Sequence, residues 1–574
     1  MGVDLLPPGQ ERQRHVHPPM NVALATPLFA LAGGFLILFV VRLMIRMRHR
    51  LRLRAVLRND DQTTFTNRDG FMAWMNRHVF YAPLFGTRHS REFRIGHAHM
   101  GTVPLRIESL ILALRSCTRS SMQEAHLAVM NTPGLLLAAA RNNPLIPLLG
   151  VSFDTFNLFH RWVGRVIVFG AIIHASAVIA GQIAEHGFET TTHIIWEVPL
   201  FIWGIIALFG FILIAIQSVS LLRHAFYEVF LHLHVALALM SFVGLWYHLR
   251  GLDQQNVLLG TIIVWGLERA TCLASLMWRN VGKQHTVADF ELLPGNVIRA
   301  TVTLARTGKF KAGQHMYLYV PSIGLWTSHP FSVAWTSTED VSVDGDSNGS
   351  FKMLLDKTPQ TTVSFLIKGQ DGFTRELQRK AANSETRQFT ATVFAEGPYG
   401  GLEDLNSYGT VLLIASGVGI TNAMSYLYQF LERFSAREAA VRRANLVWVT
   451  RSVEDLHWIE PWMRSVFTHP AIAAKESFQS DRLAVYVTRK EASEASVGDS
   501  ESLWAFSAPS GVLVSVGFGR PCFPVVIERE VETQVGAMAV SVCGNGCVTD
   551  DVRQAVREAQ KVKAISLHDE AFCW

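Results

Sequence analysis

The sequence predicts a multi-domain chain: an α-helical transmembrane bundle, then a soluble module made of a β-rich piece and an α/β piece. Three observations carry that expectation. The chain has 574 residues, 49% of them hydrophobic and only 17% charged, with mean hydropathy +0.21, which is too long for one ordinary domain and too apolar for a disordered or purely soluble one. Long apolar runs are confined to the first half. After residue 280 they give way to short β-rich pieces and, from 405 onward, to strands (VLLIAS, ANLVWVT, GVLVSVG and AMAVSVCG) alternating with helices, the pattern of a parallel sheet with covering helices. The formal charge of +5, from 52 Lys+Arg against 47 Asp+Glu, is no nucleic-acid footprint, so no nucleic-acid partner is expected. Six cysteines, at 117, 272, 522, 543, 547 and 573, are too sparse for a disulfide framework and form no zinc-type pattern.

The apolar runs lie near 22–44, 103–116, 125–140, 161–182, 195–217, 228–248 and 254–276. A spanning helix needs about 20 mostly apolar residues, which the first, fourth, fifth and sixth runs supply. The seventh meets Glu268 and Arg269 at an interface, and the second and third are short. The first run lacks a signal-peptide cleavage pattern. It leads directly into Arg42, Arg46, Arg48, Arg50, Arg52, Arg54 and Arg58, which are hard to move across a bilayer and place this flank in the cytosol. The other reading of this segment is a basic helix lying on anionic lipid. With seven crossings, Arg141, Arg161, Arg165 and Arg223 share the cytosolic side, loops 183–194 and 249–255 face outward, and the C-terminal half is cytosolic.

Within the bundle, His160 and His174 lie on the fourth run and its start, and His234 and His248 lie on the sixth. Both pairs are separated by 14 residues, which on a helix returns to within about 40° of the same face after about 21 Å. The two helices run in the same direction, so His160 is expected to face His234 at one level and His174 to face His248 at the other. Two imidazoles at one height make a bis-histidine haem site, and two levels make a stack of two b-type haems. A single intramembrane histidine is as readily a bundle hydrogen-bonder or a proton relay; the repeated spacing on two helices favours the haem reading. His232 points about 200° from His234 and is read as a non-ligand, as is His224. His186 and His193 lie in an outer loop.

In the soluble half, FKAGQHMYLYVPSIGLWTSHPFSVA (310–334) reads as strand, loop, then His329, Pro330, Phe331 and Ser332, a composition that suits a flavin cradle. LIKGQDGFTREL (366–377) adds Lys368, Thr374 and Arg375 beside a glycine-bearing turn able to meet a pyrophosphate. VLLIASGVGIT (411–421) is strand, Gly-rich turn and helix start, where Gly417, Gly419 and Thr421 let backbone N–H groups approach a phosphate. CGNGCVTDDVR (543–553) repeats that geometry, with Cys543 a candidate for contact with a nicotinamide ring. Arg451 and Arg520, at strand ends, are candidates for the 2′-phosphate that separates NADPH from NADH. The terminal Trp574 either stacks on a flavin face or plugs a core edge.

From about 125 to 574 the chain resembles the ferric reductase family of flavocytochromes, which also includes the NADPH oxidases. The resemblance rests on RNNPLIPLLGVSFDTFNLFHRWVGR (141–165), FYEVFLHLH (226–234), SHPFSVA, DGFTREL, EGPYGG (396–401), ASGVGIT, GRP (519–521) and CGNG. The first two are similar to the fungal metalloreductase branch. The resemblance implies a haem-bearing transmembrane domain and a ferredoxin-reductase-like module of FAD-binding β-barrel and α/β NADP-binding domain. It implies that His160, His174, His234 and His248 are axial ligands of two haems. It places FAD on His329, Pro330, Phe331, Ser332, Lys368 and Thr374, and NADPH on Gly417, Gly419, Thr421, Arg451, Arg520 and Cys543. Two departures stand out: the second run is too short for the family's membrane helix, and CGNGC replaces the more usual CGPGG.

The domains expected are residues 1–100 (membrane helix and basic loop), 101–280 (haem domain), 281–402 (FAD domain, with a polar insertion at 337–350) and 403–574 (NADPH domain). The function expected is NADPH-driven reduction of external ferric chelates, siderophores or cupric ions for metal uptake. A metal permease is the expected downstream partner, and the plasma or vacuolar membrane the location. The alternatives are dioxygen as acceptor, or a non-catalytic membrane protein with a degenerate reductase fold.

Overall fold

The computed structural model describes residues 18–59, 62–67, 69–95, 98–113, 128–282, 284–324, 327–342, 357–473, 478, 482–488 and 513–570. It divides into two compact units, Met1–Ile45 with Ile107–Glu268, and Arg46–Arg106 with Arg269–Trp574.

The first apolar run and the arginines after it form one helix, α1 (Pro18–Asn59). It does not end at the basic flank, because arginine is a good helix former and no glycine or proline interrupts 35–59. In the helical unit the second run gives a helix only over Arg106–Ala113, and residues 114–127 lie outside the described residues. The third run gives α2 (Thr132–Ala139). Seven crossings were expected; among the described residues, four helices are long and apolar enough to span a membrane. They are α3 (Phe153–His186), α5 (Pro199–Gln217), α6 (Tyr227–His248) and α7 (Gln254–Asn280), with α4 (Phe188–Glu197) between the first two. Ser152 starts α3 by accepting the Thr155 N–H, and Gly187, at φ 79°, ends it. Large side chains such as Phe169 (65% exposed) and Phe209 (57%) point outward, as lipid-facing surface does. Inside, α5 and α6 pack closely: a Cβ on Gly244 would lie 2.9 Å from the Ala207 nitrogen. Thr132 and Thr261 join their hydroxyls at 2.8 Å between α2 and α7.

In the soluble unit, an antiparallel hairpin (Phe93–Ile95 with Ala98–Gly101) lies in the upstream segment, and two larger antiparallel sheets follow residue 286. The five-stranded sheet has the order β5-β6-β2-β1-β7, from Trp335–Ser342, Lys357–Lys368, Val297–Thr303, Val287–Leu293 and Gln388–Thr392. The three-stranded sheet has the order β8-β3-β4, from Phe394–Gly400, Gln314–Tyr319 and Ser328–Ser332. Alternating inward residues, among them Phe290, Ile298, Met316, Leu318 and Phe365, form their shared core. Residues 337–342 of the expected insertion belong to β5, and 343–356 lie outside the described residues.

The last part is a parallel sheet of six strands, β9 (Thr410–Ser416), β10 (Arg443–Thr450), β11 (Arg482–Val487), β12 (Leu513–Phe518), β13 (Met538–Cys543) and β14 (Ile565–Glu570). Their order is β12-β11-β10-β9-β13-β14. β11 and β14 were not among the expected strands. The chain winds outward from β9 to β12, then returns to place β13 on the other side of β9. That reversal is a topological switch point, where α/β sheets open a ligand crevice beyond the strand carboxyl ends.

Candidate functional site

α3 and α6 are each unbroken through their histidines, so the spacing of 14 acts as expected along both. The His160 and His234 rings face one another, with centroids 6.1 Å apart and planes at 60°. Two imidazoles on opposite sides of one metal, each bound at about 2 Å, hold their centroids roughly 6 Å apart. His160 Nδ1 donates to the Leu135 carbonyl of α2 at 3.0 Å, and His248 Nδ1 donates to the Leu200 carbonyl of α5 at 2.8 Å. Such second bonds orient ligating histidines and leave Nε2 for a metal. His234 Nδ1, in contrast, is buried without a hydrogen-bond partner among the described residues, so no such second bond orients this ring. His174 lies within electrostatic reach of His248. Among the described residues no group of three or more His, Cys, Asp or Glu side chains could hold a bare metal ion. A facing pair therefore suits an iron whose other four ligands come from a macrocycle. Sequence reasoning missed Gly204: a Cβ there would stand 2.8 Å from His248 Nδ1, so the glycine makes room for the ring. It also missed the carbonyls of Leu135 and Leu200, since backbone acceptors leave no residue-type signal. His232 is exposed and donates to the Glu228 carbonyl of its own helix, in keeping with its reading as a non-ligand.

In the soluble unit, His329, Pro330, Phe331 and Ser332 lie half-buried along β4, paired with β3. His329 stacks on Phe373 at 4.8 Å, at the start of α8 (Phe373–Ala382). Thr374, in the first turn of α8, accepts the Gln370 N–H at 3.0 Å and so shapes the turn after Lys368. Lys368 ends β6. Partial desolvation and the charge of Arg451 hold its ammonium below the ordinary lysine range, against the pull of Asp455. Lys368 and Arg451 therefore share one positively charged neighbourhood, although 82 residues separate them.

At the switch point, Ala415 of β9 pairs with Cys543 of β13, so the two glycine-bearing turns leave the sheet side by side. Gly417 has φ 55°, and its carbonyl is tied by the indole N–H of the fully buried Trp448 at 3.0 Å. A Cβ on Gly419 would collide with the Cys543 carbonyl. Thr421 lies in the first turn of α9 (Ile420–Ser435), its hydroxyl donating to Val418. Asn545 has φ −67°, the angle a proline would impose, and its side chain caps α11 (Gly546–Ala559), the helix that follows α10 (Phe523–Glu532), by accepting the Val548 N–H at 3.0 Å. The departure from CGPGG thus keeps the turn and adds a cap. Cys543 is 2% exposed; burial, with Glu570 adding to it, pushes its thiol well above the usual range, so it is a neutral thiol. Glu570 of β14 accepts from Asn422 of α9, and neither residue was singled out in the sequence. Arg451 and Arg520 are exposed beyond β10 and β12. Trp574 lies outside the described residues.

Three family models match. Residues 124–245 match the ferric reductase like transmembrane component, 283–344 an FAD-binding domain, and 408–557 the ferric reductase NAD binding domain. The chain is 26% identical to a probable cell surface ferric reductase of Aspergillus oryzae, over 73% of this chain and 57% of that one. It is 24% identical to ferric/cupric reductase transmembrane component 2 of Saccharomyces cerevisiae, over 86% of this chain and 70% of that one. It is also 24% identical to ferric/cupric reductase transmembrane component 1 of Candida albicans, over 87% and 67%. The chain thus spans between about half and three quarters of the length of these relatives.

Proposed function

We propose a transmembrane metal reductase from one premise: the chain belongs to the ferric reductase and NADPH oxidase superfamily, on its fungal ferric reductase branch. In this reading it takes electrons from NADPH on the cytosolic side and delivers them across the membrane to ferric chelates or cupric ions. The observation that carries the reading is the facing pair His160 and His234, at the distance an iron between them needs.

His160 and His234 would hold one haem and His174 and His248 the other, one near each leaflet. Leu135 and Leu200 keep two of these rings turned, and Gly204 leaves His248 its space. His329, Pro330, Phe331, Ser332, Lys368 and Thr374 would hold FAD. Gly417, Gly419 and Thr421 offer backbone N–H groups to the NADPH pyrophosphate, and Arg451 and Arg520 flank the crevice for its 2′-phosphate. When bound, the flavin accepts hydride and passes electrons on singly, and the haems carry one electron at a time. The neutral thiol of Cys543 contributes shape beside the nicotinamide rather than a charge. A ferric or cupric ion reduced by one electron needs no proton-transferring side chain at the outer face. The arginines from Arg42 to Arg58, hard to move across a bilayer, support a cytosolic soluble unit, and a metal permease would take up the reduced ion.

The test is NADPH-driven reduction of a ferric chelate by membranes carrying the full chain, with cytochrome c reduction sensitive to superoxide dismutase measured in parallel. Metal reduction without superoxide is the expected result. Superoxide in place of metal reduction would assign dioxygen as the acceptor, and neither activity in protein containing haem and flavin would overturn the reading.

A further inference from the structure

Residues 46–106 precede most of the helical unit in the chain, yet they belong to the soluble unit. They are anchored at separate places around the parallel sheet. Arg52 Nη2 donates to Ser407 Oγ at 2.7 Å, and its guanidinium lies 4.1 Å from the Tyr408 ring centroid. The buried Gln62 donates to the Ala440 carbonyl at 2.8 Å. Tyr81 accepts the Leu567 N–H with its hydroxyl, and Arg557 of α11 donates to the Arg77 carbonyl.

The tightest anchor lies against the start of α11, just after the Cys543–Gly546 turn. Asp550, 4% exposed, accepts backbone N–H groups from His89 (3.1 Å), Ser90 (2.8 Å) and Arg91 (3.0 Å). The Arg91 guanidinium pairs with Asp551 at 2.6 Å and donates to the Cys547 carbonyl at 3.3 Å. A Cβ on Gly546 would collide with the Ser90 carbonyl, so the two segments touch backbone to backbone. α11 thus carries two carboxylates in its second turn, close to the end that would face a dinucleotide phosphate. Arg553 of the same helix lies 3.8 Å from Asp550, so that carboxylate is also paired from within α11; the strap adds three N–H groups to it and supplies the guanidinium against Asp551, which left bare would oppose an anion there.

We propose that this strap is a clamp on the nicotinamide-side turn, and that Arg91 is a positioning residue that keeps the crevice receptive to NADPH by holding the start of α11 and neutralising Asp551. The inference rests on the reading of the switch-point crevice as the NADPH site. It assigns a role in nucleotide affinity to a segment that lies outside all three matched family regions.

The experiment is NADPH titration of ferric-chelate reduction by the full chain in membranes, for wild type, Arg91→Ala, Arg91→Lys, Asp551→Asn and the double variant Arg91→Ala/Asp551→Asn. Arg91→Ala should raise the KM for NADPH about tenfold, with the saturated rate and the dithionite-reduced haem band within about twofold of wild type. Arg91→Lys should recover part of the loss, and the gap from wild type should narrow as ionic strength rises. Asp551→Asn should leave KM at or below the wild-type value, and the double variant should return toward it. An unchanged KM in Arg91→Ala would overturn the clamp, as would a fall in haem and flavin content with KM constant, or a double variant no better than Arg91→Ala. A wild type without a saturable NADPH response would instead overturn the nucleotide reading on which the clamp rests.

Discussion

In the helical unit the candidate residues are four copies of one side chain on two unbroken helices, and a single interval of 14 residues places them. In the soluble unit they are of many types and lie on β4, at the ends of β6 and β10, and in the turns after β9 and β13, which leave the sheet side by side. One site is built by periodicity and the other by topology. A helix repeats its geometry, so two histidines at a fixed interval keep their faces whatever lies around them. A parallel sheet gathers its site where strand order reverses, so that site depends on every crossover before it; here a segment from upstream in the chain also packs against the start of α11.

The sharpest way to break the comparison is to disable one region and ask what survives in the other. His234→Ala should abolish NADPH-driven ferric-chelate reduction, by at least about a hundredfold, while NADPH reduction of a soluble dye at the flavin continues. Equal loss of both activities in well-expressed protein would show that the two regions do not act as separable stages. Gly419→Ala should do the reverse. Its Cβ meets the Cys543 carbonyl, so both NADPH-driven activities should fall by at least about tenfold while the dithionite-reduced haem spectrum stays as in wild type.

Arg451→Ala and Arg520→Ala sharpen the soluble side. Each should lower the preference for NADPH over NADH by about tenfold through KM for NADPH, leaving NADH kinetics nearly unchanged. An equal rise in KM for both nucleotides would assign these arginines to the pyrophosphate instead.

The smallest effect concerns pH. Burial alone would lower the pKa of His568, but Tyr408 and Glu403 outweigh it and hold it up to about 9; its Nδ1 lies 3.0 Å from Glu403. A histidine raised above its unfolded value near 6.5 stabilises the fold fully below that pH, and the contribution is lost as pH rises through 9. His568→Gln should therefore lower the thermal midpoint of the soluble unit by a few °C at about pH 6 and leave it close to wild type at about pH 10. A constant difference across that range would mean that His568 acts by packing and not by charge.

What could be read in the sequence follows the same division. The intervals 160–174 and 234–248 were legible as repeats along one helix each because helical periodicity survives any tertiary context. β9, β10 and β13 were legible as unbroken apolar runs, which fully buried parallel strands require. β11 presents such a run (LAVYV) but has no site motif beside it to draw attention, whereas β14 carries His568, Asp569 and Glu570 at the sheet edge and presents none. Glu570 and Asn422 were missed for the same reason, because their meeting depends on β14 lying beside β13. The strap's strongest contacts come from backbone N–H groups, which every residue except proline carries and which leave no residue-type signal. Even α1 ran past its expected end, because the arginines that mark a membrane flank are also good helix formers.

The proposal that most needs testing is that His160 with His234, and His174 with His248, form a path across the membrane fed by NADPH. The most direct measurement is the absorption spectrum of the full chain in membranes during NADPH titration, with dithionite as the end point, for wild type, His234→Ala and His174→Ala. The account predicts six-coordinate b-type haem reduced by NADPH in wild type, at two haems per flavin. It predicts loss of the signal from one level in each variant. A wild-type spectrum without haem, or one that both substitutions leave intact, would contradict it.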